Sequence, residues 1–346
     1  MPSHLNLFRL LLVCIFTTTF YGSANAQKIE EFSLILPQYK VSNSLYNSII
    51  FIDSRKDTAT LGIIQTGAFN RQALVVAKDG LGGQIKNVLA ALTDSTAQNN
   101  QLLLQLRLYN LAEVTGSFSE KGFFKLYAHL FAKVDNGYSK ISDIDTLVVV
   151  SSGMDVSNAL LKTGSNILTD FIANNLTKKP NSLKSYPYSY ISKIDSVEKR
   201  QLKVYTTDTF TDGVYYRYRS FKDQIPESEI VVDGDSVGRG NVKAYDVNRK
   251  LKKLNPANAY AVVFKGKPYI TNNFGYHQMY RRDDELFFKG SISIYRNASA
   301  GSVIAMSALF GIAGGIIASS TGSNDIHQGE IKIDYLTGEF MVPDKK

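Results

Sequence analysis

Three consecutive stretches decide how this chain reads: QLLLQLRLYNLAEV (Gln101–Val114), GFFKLYAHLFAKVD (Gly122–Asp135) and YSKISDIDTLVVVS (Tyr138–Ser151). Each is long, rich in aliphatic and aromatic residues and free of proline, and the third alternates polar with apolar residues, the period of a strand with one covered face. Asn136-Gly137 joins the last two, a pairing that predicts a type I′ hairpin. The centre of the first half is therefore expected to be a set of long antiparallel strands.

Working outward, the period changes on both sides. Leu81, Ile85, Val88, Leu89 and Leu92 recur at helical spacing after the turn Gly80-Leu81-Gly82-Gly83. A second helix is expected from Asp155 to Leu176. Val156, Leu160, Ile167, Leu168, Phe171 and Ile172 form its apolar stripe, with Ser152 or Asp155 as cap. Upstream, EFSLILP, SLYNSIIFID, TLGIIQTG and QALVVAKD read as short strands, the second ending at the Asp53-Ser54-Arg55 turn. Residues 27–177 thus form an α+β domain with an antiparallel sheet and two helices.

Residues 178–190 begin Lys178-Lys179-Pro180-Asn181-Ser182 and read as a linker. From 191 to 346 the chain is a Tyr-rich, mainly antiparallel β domain, and 14 of the 20 tyrosines follow residue 181. Expected strands are QLKVYTT, GVYYRYRSF, EIVVDGD, AYAVVFKGKPYIT, DELFFKGSISIYR and GEIKIDYLTGEFMV, with a short basic helix over Val247–Leu254. Residues 298–321 interrupt this domain. The core of the interruption, ASAGSVIAMSALFGIAGGIIASS (Ala298–Ser320), lies in a run without charge between Arg296 and Asp325, and Ser307, Gly311, Gly315 and Ser319 recur every fourth residue. On a helix those small residues share one face and permit close approach of a second backbone. The flanking strand patterns belong to one sheet, so the insertion is expected to leave and return on the same side, as a helix or helical hairpin. Contact with a membrane, an envelope protein or a second copy through these four residues is the expectation.

The other end of the chain carries a leader pattern. Arg9 precedes the apolar run Leu10–Phe16, and Ala24-Asn25-Ala26 supplies an A-x-A site, so residues 1–26 are expected to be a signal peptide. Val13 stands before Cys14 where a lipid-anchored leader needs a small residue, which favours cleavage over lipidation. Cleavage removes the single cysteine, and with it disulfides and thiolate chemistry. The expected location is the periplasm or outer membrane of a Gram-negative bacterium. The formal charge of +8 is scattered rather than blocked. It reads as a solvated surface, and nucleic acid is not an expected partner outside the cytosol.

The order of strands, helix, long strands and closing helix resembles the periplasmic domains of auxiliary lipoproteins of ABC-type transport systems and of YajG-like lipoproteins. The resembling features are Asp53-x-Arg55 followed by Leu61-Gly62, the helix near Ile85–Leu92, and the closing helix. The resemblance implies an envelope accessory protein rather than an enzyme. In the second half, Asp212-Gly213-Val214-Tyr215-Tyr216…Phe221…Pro226 and Ala261–Ile270 are similar to an uncharacterised family of Bacteroidetes secreted proteins, which implies no chemistry.

No catalytic or cofactor motif is present. G-x-S-x-G is absent. GLGGQIKN has Ile85 where a dinucleotide fingerprint needs glycine, and Asn87 where a P-loop needs Ser or Thr. His129, His277 and His327 lack helical metal spacing. Asp233-Gly-Asp235-Ser-Val237-Gly238 has valine where a calcium loop needs oxygen and reads as a hairpin tip. The charged run Arg281–Glu285 reads as a solvated turn. One ligand face is a candidate: on a continuous strand Tyr215, Arg217 and Arg219 share one side and suit a sugar or peptide. The function expected is that of a non-catalytic envelope accessory or assembly protein, without cofactor or metal. The alternative is a secreted hydrolase, or a glycan- or peptide-binding module of the envelope.

Overall fold

The computed structural model describes residues 28–66, 71–115, 120–151, 155–180, 184–296, 303–304 and 325–341. The expected leader, 1–26, and the residues Ser307, Gly311, Gly315 and Ser319 lie outside that set.

The first unit runs β1 (Lys28–Phe32), β2 (Ser48–Asp53), β3 (Gly62–Thr66), β4 (Arg71–Ala77), α1 (Leu81–Leu92), β5 (Gln101–Thr115), β6 (Glu120–Val134), β7 (Gly137–Ser151) and α2 (Val156–Ala173). The fold is α+β, as expected, but the sheet is mixed rather than wholly antiparallel. Its order is β1-β4-β3-β5-β6-β7, with β2 also beside β5. β5 to β7 form the expected antiparallel meander. On its other edge β5 takes two parallel partners in succession, β2 along Gln101–Leu106 and β3 at Leu111–Ala112. The cause is connectivity: α1 crosses over between β4 and β5, which frees β5 to run alongside earlier strands rather than fold back on them.

The helices form for the reasons their spacing suggests. Leu81, Ile85, Val88, Leu89 and Leu92 of α1 are all buried, each contributing about 1.5–3 kcal/mol of burial. Asp155, not Ser152, caps α2, accepting from the Asn158 amide at 2.8 Å. Both helices pack on one face of the sheet, with Leu102, Leu104, Leu106, Leu111, Phe124, Leu126 and Leu130 between. The β6–β7 hairpin is present, but its loop is Asp135-Asn136, and neither residue has positive φ as a type I′ turn requires. Gly137 takes the unusual conformation instead, at φ 146°, where a Cβ would lie 2.4 Å from the Tyr186 carbonyl oxygen.

That contact shows what becomes of the expected linker. Tyr186 bridges Tyr138 through both backbone groups at 2.8 Å. The short helices α3 (Tyr188–Ile191) and α4 (Ile194–Lys199) follow. Ile191 and Ile194 bury against Leu103 and Phe131, on the sheet face opposite α1 and α2. The described end of 178–190 is therefore docked chain.

The second unit adds α5 (Lys203–Thr206), β8 (Gly213–Tyr215), α6 (Tyr218–Lys222), β9 (Ile230–Val232), β10 (Val242–Tyr245), β11 (Leu251–Lys253), β12 (Ala261–Phe264), β13 (Lys267–Asn272), β14 (Gly275–Arg282), β15 (Glu285–Arg296), β16 (Val303–Ile304), β17 (Asp325–Ile333) and β18 (Phe340–Met341). Eight strands form one antiparallel sheet, β16-β18-β17-β15-β14-β13-β12-β8, and β11-β10-β9 form a small second one. Tyr215, Tyr218, Phe221, Tyr260, Phe288 and Phe340 fill the core of the larger sheet.

Three sequence expectations fail here for local reasons. QLKVYTT is helical over α5 rather than extended. Asp246 accepts from the Asn248 and Lys250 amides, both at 2.9 Å, and closes a tight turn into β11 where a basic helix over Val247–Leu254 was expected. GVYYRYRSF is a strand only to Tyr215. The Glu227 carboxylate accepts from the Tyr216 and Arg217 amides, removing them from any ladder, and the chain then turns into α6.

The flanks of the apolar stretch behave as expected. β15 and β17 pair antiparallel over nine residues, ending at Ile294↔Asp325. The chain between them therefore starts and finishes at neighbouring sheet positions, but its two described residues, Val303 and Ile304, form β16, paired with Tyr295 and Arg296 of β15 and with Met341 of β18, where a helix or helical hairpin was expected. Among the described residues no helix is long and apolar enough to cross a membrane.

Candidate functional site

The two units meet on the face of the first sheet left open by α1 and α2, and a single arginine organises the junction. The β5–β6 register shifts between Leu106 and Leu108, so Arg107 is the extra residue of a bulge. The bulge falls where β5 exchanges its β2 partner for β3. Arg107 points away from the helices, and its side chain has no solvent exposure. Its Nη1 donates to Glu198 and to the Tyr127 hydroxyl (3.3 Å). Its Nη2 donates to Asp195 and to the Tyr335 hydroxyl (2.9 Å). The guanidinium also lies 4.9 Å from the centre of the Tyr127 ring. Burial opposes its charge, but Glu198, Tyr335 and Asp195 outweigh burial and keep its pKa raised. One side chain thus ties β5 and β6 to α4 and to the turn after β17.

Neighbouring groups extend the junction. Gln105 donates to Ser54 Oγ (3.0 Å) and to the Ile191 carbonyl (2.8 Å). His129, buried beside Tyr127 with Nε2 3.0 Å from its hydroxyl, is pushed down to about 2, first by burial and then by Lys140 and Arg107. It is neutral at physiological pH and enclosed, which unfits it as a general base. Burial pushes Tyr127 up to about 12. Glu285 pairs with Lys199 (2.8 Å) and Lys332 (3.0 Å), so the charged run Arg281–Glu285 is only partly a solvated turn. Asp283 and Asp284 form its tip, with φ 52° and 58°.

Above Arg107 a cleft of about 430 Å³ opens between β5, the loop after β2, and the turn between β17 and β18. Arg55 secures the loop wall: its guanidinium donates to both Asp53 oxygens (2.9 and 2.8 Å) and to the Thr60 (2.6 Å) and Thr58 (3.1 Å) carbonyls. The Asp53-x-Arg55 motif is a structural clasp. Opposite, Asp334 Oδ1 accepts from the Leu336 and Thr337 amides and the Thr337 hydroxyl, at 2.8–3.0 Å. Lys56 crosses the cleft to pair with Asp334 and lies 3.3 Å from Met341 Sδ.

The ligand face expected at Tyr215, Arg217 and Arg219 is not formed. Tyr215 is fully buried and its hydroxyl donates to the Thr211 carbonyl (2.6 Å). Arg217 pairs with Glu227, and Arg219 sits on α6. The three never share a strand, because the strand ends at Tyr215. In GLGGQIKN, Gly82 packs on Phe51, with a Cβ position 3.2 Å from its ring. His277 lies against Gly290 and Phe288. Among the described residues no three His, Cys, Asp or Glu side chains are grouped to hold a metal. Arg107, Asp195, Glu198 and Tyr335 were not singled out from sequence. The available signal was Gln105 and Arg107 on the same side of an otherwise aliphatic strand.

Fold and site define an α+β protein of two units joined by a buried charge cluster beside an open cleft. No family model matches the chain, and no curated protein matches it. Solved structures resemble part of it. An uncharacterised protein aligns with TM-score 0.27 and 11% identity, covering 43% of this chain and 98% of its own. A Xanthomonas campestris protein under the family-model DUF330 aligns with TM-score 0.28 and 9% identity, covering 49% of this chain and 99% of its own.

Proposed function

We propose that this is a non-catalytic accessory or assembly protein of the bacterial cell envelope, exported by the leader at 1–26. The apolar insertion at 298–321 makes its contact with a membrane or an envelope partner. One observation carries the reading: the strands on either side of the uncharged stretch, β15 and β17, pair with each other up to Ile294↔Asp325. A single crossing would place β15 and β17 on opposite sides of a bilayer, which their ladder forbids. An insertion tethered at both ends to one sheet is suited to docking into the near leaflet or onto a partner. The likeness of the first half to ABC-transport auxiliary and YajG-like lipoproteins, and of the second to secreted Bacteroidetes proteins, points to the same compartment.

The test is fractionation and liposome flotation of the full chain beside a version with 305–321 replaced by a short Gly-Ser loop, which keeps β16. The full chain is expected to float and to sediment with membranes, and the shortened chain to stay in the soluble fraction while keeping its far-UV circular dichroism. Equal behaviour of the two, both soluble and monomeric, overturns the proposal.

A further inference from the structure

The edge of a sheet presents unpaired N–H and C=O groups, and proteins guard such edges with charge, shortness or cover. Several edges here are guarded. β1 carries Lys28, Glu30 and Glu31, and β8, β9 and β11 have three residues each. β7 carries Lys140, Asp143 and Asp145, and Tyr186 bridges its start. β2 is different. It reads SIIFID, with no proline and no charge before Asp53, and Asp53 is held by Arg55. Among the described residues β5 is its only strand partner, so one side of about 20 Å of apolar strand has no ladder.

A groove of about 720 Å³ runs along that side, between the consecutive residues Asn47 to Phe51 and α1, which contributes Gly82, Gly83, Lys86 and Leu89. Successive residues of a strand point to opposite faces, so five in a row line one groove only along the strand's edge. Glycines keep the α1 wall low. Gly82 makes room for the Phe51 ring, 3.2 Å from its Cβ position, whereas a Cβ on Gly83 would meet nothing within 4 Å. Packing therefore does not call for glycine at 83, and a helix would be stronger without it. The walls also select the occupant. Lys86 is the one charged residue among the described lining, exposed and without an ion pair among the described residues. Two copies of this chain joined antiparallel at β2 would set both α1 helices on one face, Lys86 toward Lys86, with no acid on the lining to answer them. An extended peptide bearing a carboxylate answers Lys86 while its backbone completes the ladder.

We propose that β2 and α1 form a receptor for an extended acidic segment of a partner protein, added as a strand beside β2, with its carboxylate on Lys86 and apolar side chains against Phe51. The inference is independent of the membrane-docking reading, because none of these residues belongs to the insertion.

The probe is a capped, fluorescently labelled peptide of alternating valine and threonine with one central glutamate, titrated into the full chain by anisotropy. Amide exchange locates it. The peptide is expected to bind and to protect Ser48–Asp53. It is expected to bind at least about threefold more tightly than its twin with lysine for glutamate. N-methylation of alternate peptide amides is expected to weaken it at least about tenfold, because the strand donors are lost. Lys86→Glu is expected to reverse the order of the two charged peptides. Gly83→Leu fills the groove from a position with free space, so it is expected to keep or raise thermal stability while weakening binding at least about tenfold. No binding, protection elsewhere, equal affinity for the methylated peptide, or unchanged binding in Gly83→Leu overturns the proposal. A dimer that forms without peptide and is dissolved by Gly83→Leu places a second copy in the groove and overturns it equally.

Discussion

Replacing Arg107 with methionine keeps the length and apolar stem of the side chain and removes its charge. The guanidinium holds two carboxylates and two tyrosine hydroxyls from a side chain with no exposure. Removing one partner of a fully buried ion pair costs about 3–5 kcal/mol. Here the carboxylates left behind are not sealed in: Asp195 is 47% and Glu198 29% exposed, so water recovers part of their solvation. The expected loss is therefore near the lower end, about 3 kcal/mol. Its location matters as much as its size. Asp195, Glu198 and Tyr335 all lie outside the first sheet, so the loss falls on the junction. The chain has no tryptophan and 20 tyrosines, so urea unfolding is followed by tyrosine fluorescence and far-UV circular dichroism. Wild type is expected to unfold with the two signals coincident. Arg107→Met is expected to separate them, the Tyr-rich second unit losing structure at lower urea. A variant that unfolds in one transition with a loss below about 1 kcal/mol would falsify the view that this arginine joins the units.

Other positions give independent checks. Gly62→Ala should be among the most damaging single changes, at least about 3 kcal/mol by urea titration, because its Cβ would fall 1.9 Å from the Leu111 carbonyl oxygen at φ 123°. Gly137→Ala should loosen the Tyr138–Tyr186 bridge, read as faster amide exchange at both residues, with little change in α1. His129 is neutral when folded and takes a proton near pH 6.5 when unfolded. Its contribution is thus fully present above pH 6.5 and declines as pH falls toward about 2, by up to about 1.4 kcal/mol per unit. Wild type should accordingly lose stability relative to His129→Gln between pH 6.5 and 4, and an imidazole resonance titrating near 6.5 in the folded protein contradicts this.

The parts of this molecule visible in its sequence are those whose causes are local. β5, β6 and β7 announce themselves by length and apolar content, α1 by a stripe buried at every expected residue, and α2 by one buried everywhere except Ile167, which is half-buried. The return of the apolar stretch to its own sheet was also legible, because both flanking strands alternate. The second half misled where a distant side chain takes over the backbone. Glu227, ten and eleven residues on, ends the strand that would have carried Tyr215, Arg217 and Arg219 on one face. The parallel pairing of β2 and β3 with β5 has no local marker, since strand direction depends on the crossover and not on alternation. The junction is the extreme case: an arginine in an aliphatic strand says that something must neutralise it, and not what.

The partners of Arg107 outside the first sheet lie 88, 91 and 228 positions after it. During chain growth the β5–β7 meander emerges complete, helices soon after, while its central guanidinium still has no counter-charge and its second face no cover. The counter-charges and the cover arrive with α3 and α4, whereas the Tyr335 hydroxyl joins the guanidinium only when the end of the chain has been made. Contacts this far apart along the chain slow folding and lengthen the exposure of unfinished surface. Arg107 is thus neutralised early, by α4, and tied to the second unit late, by a single neutral hydroxyl.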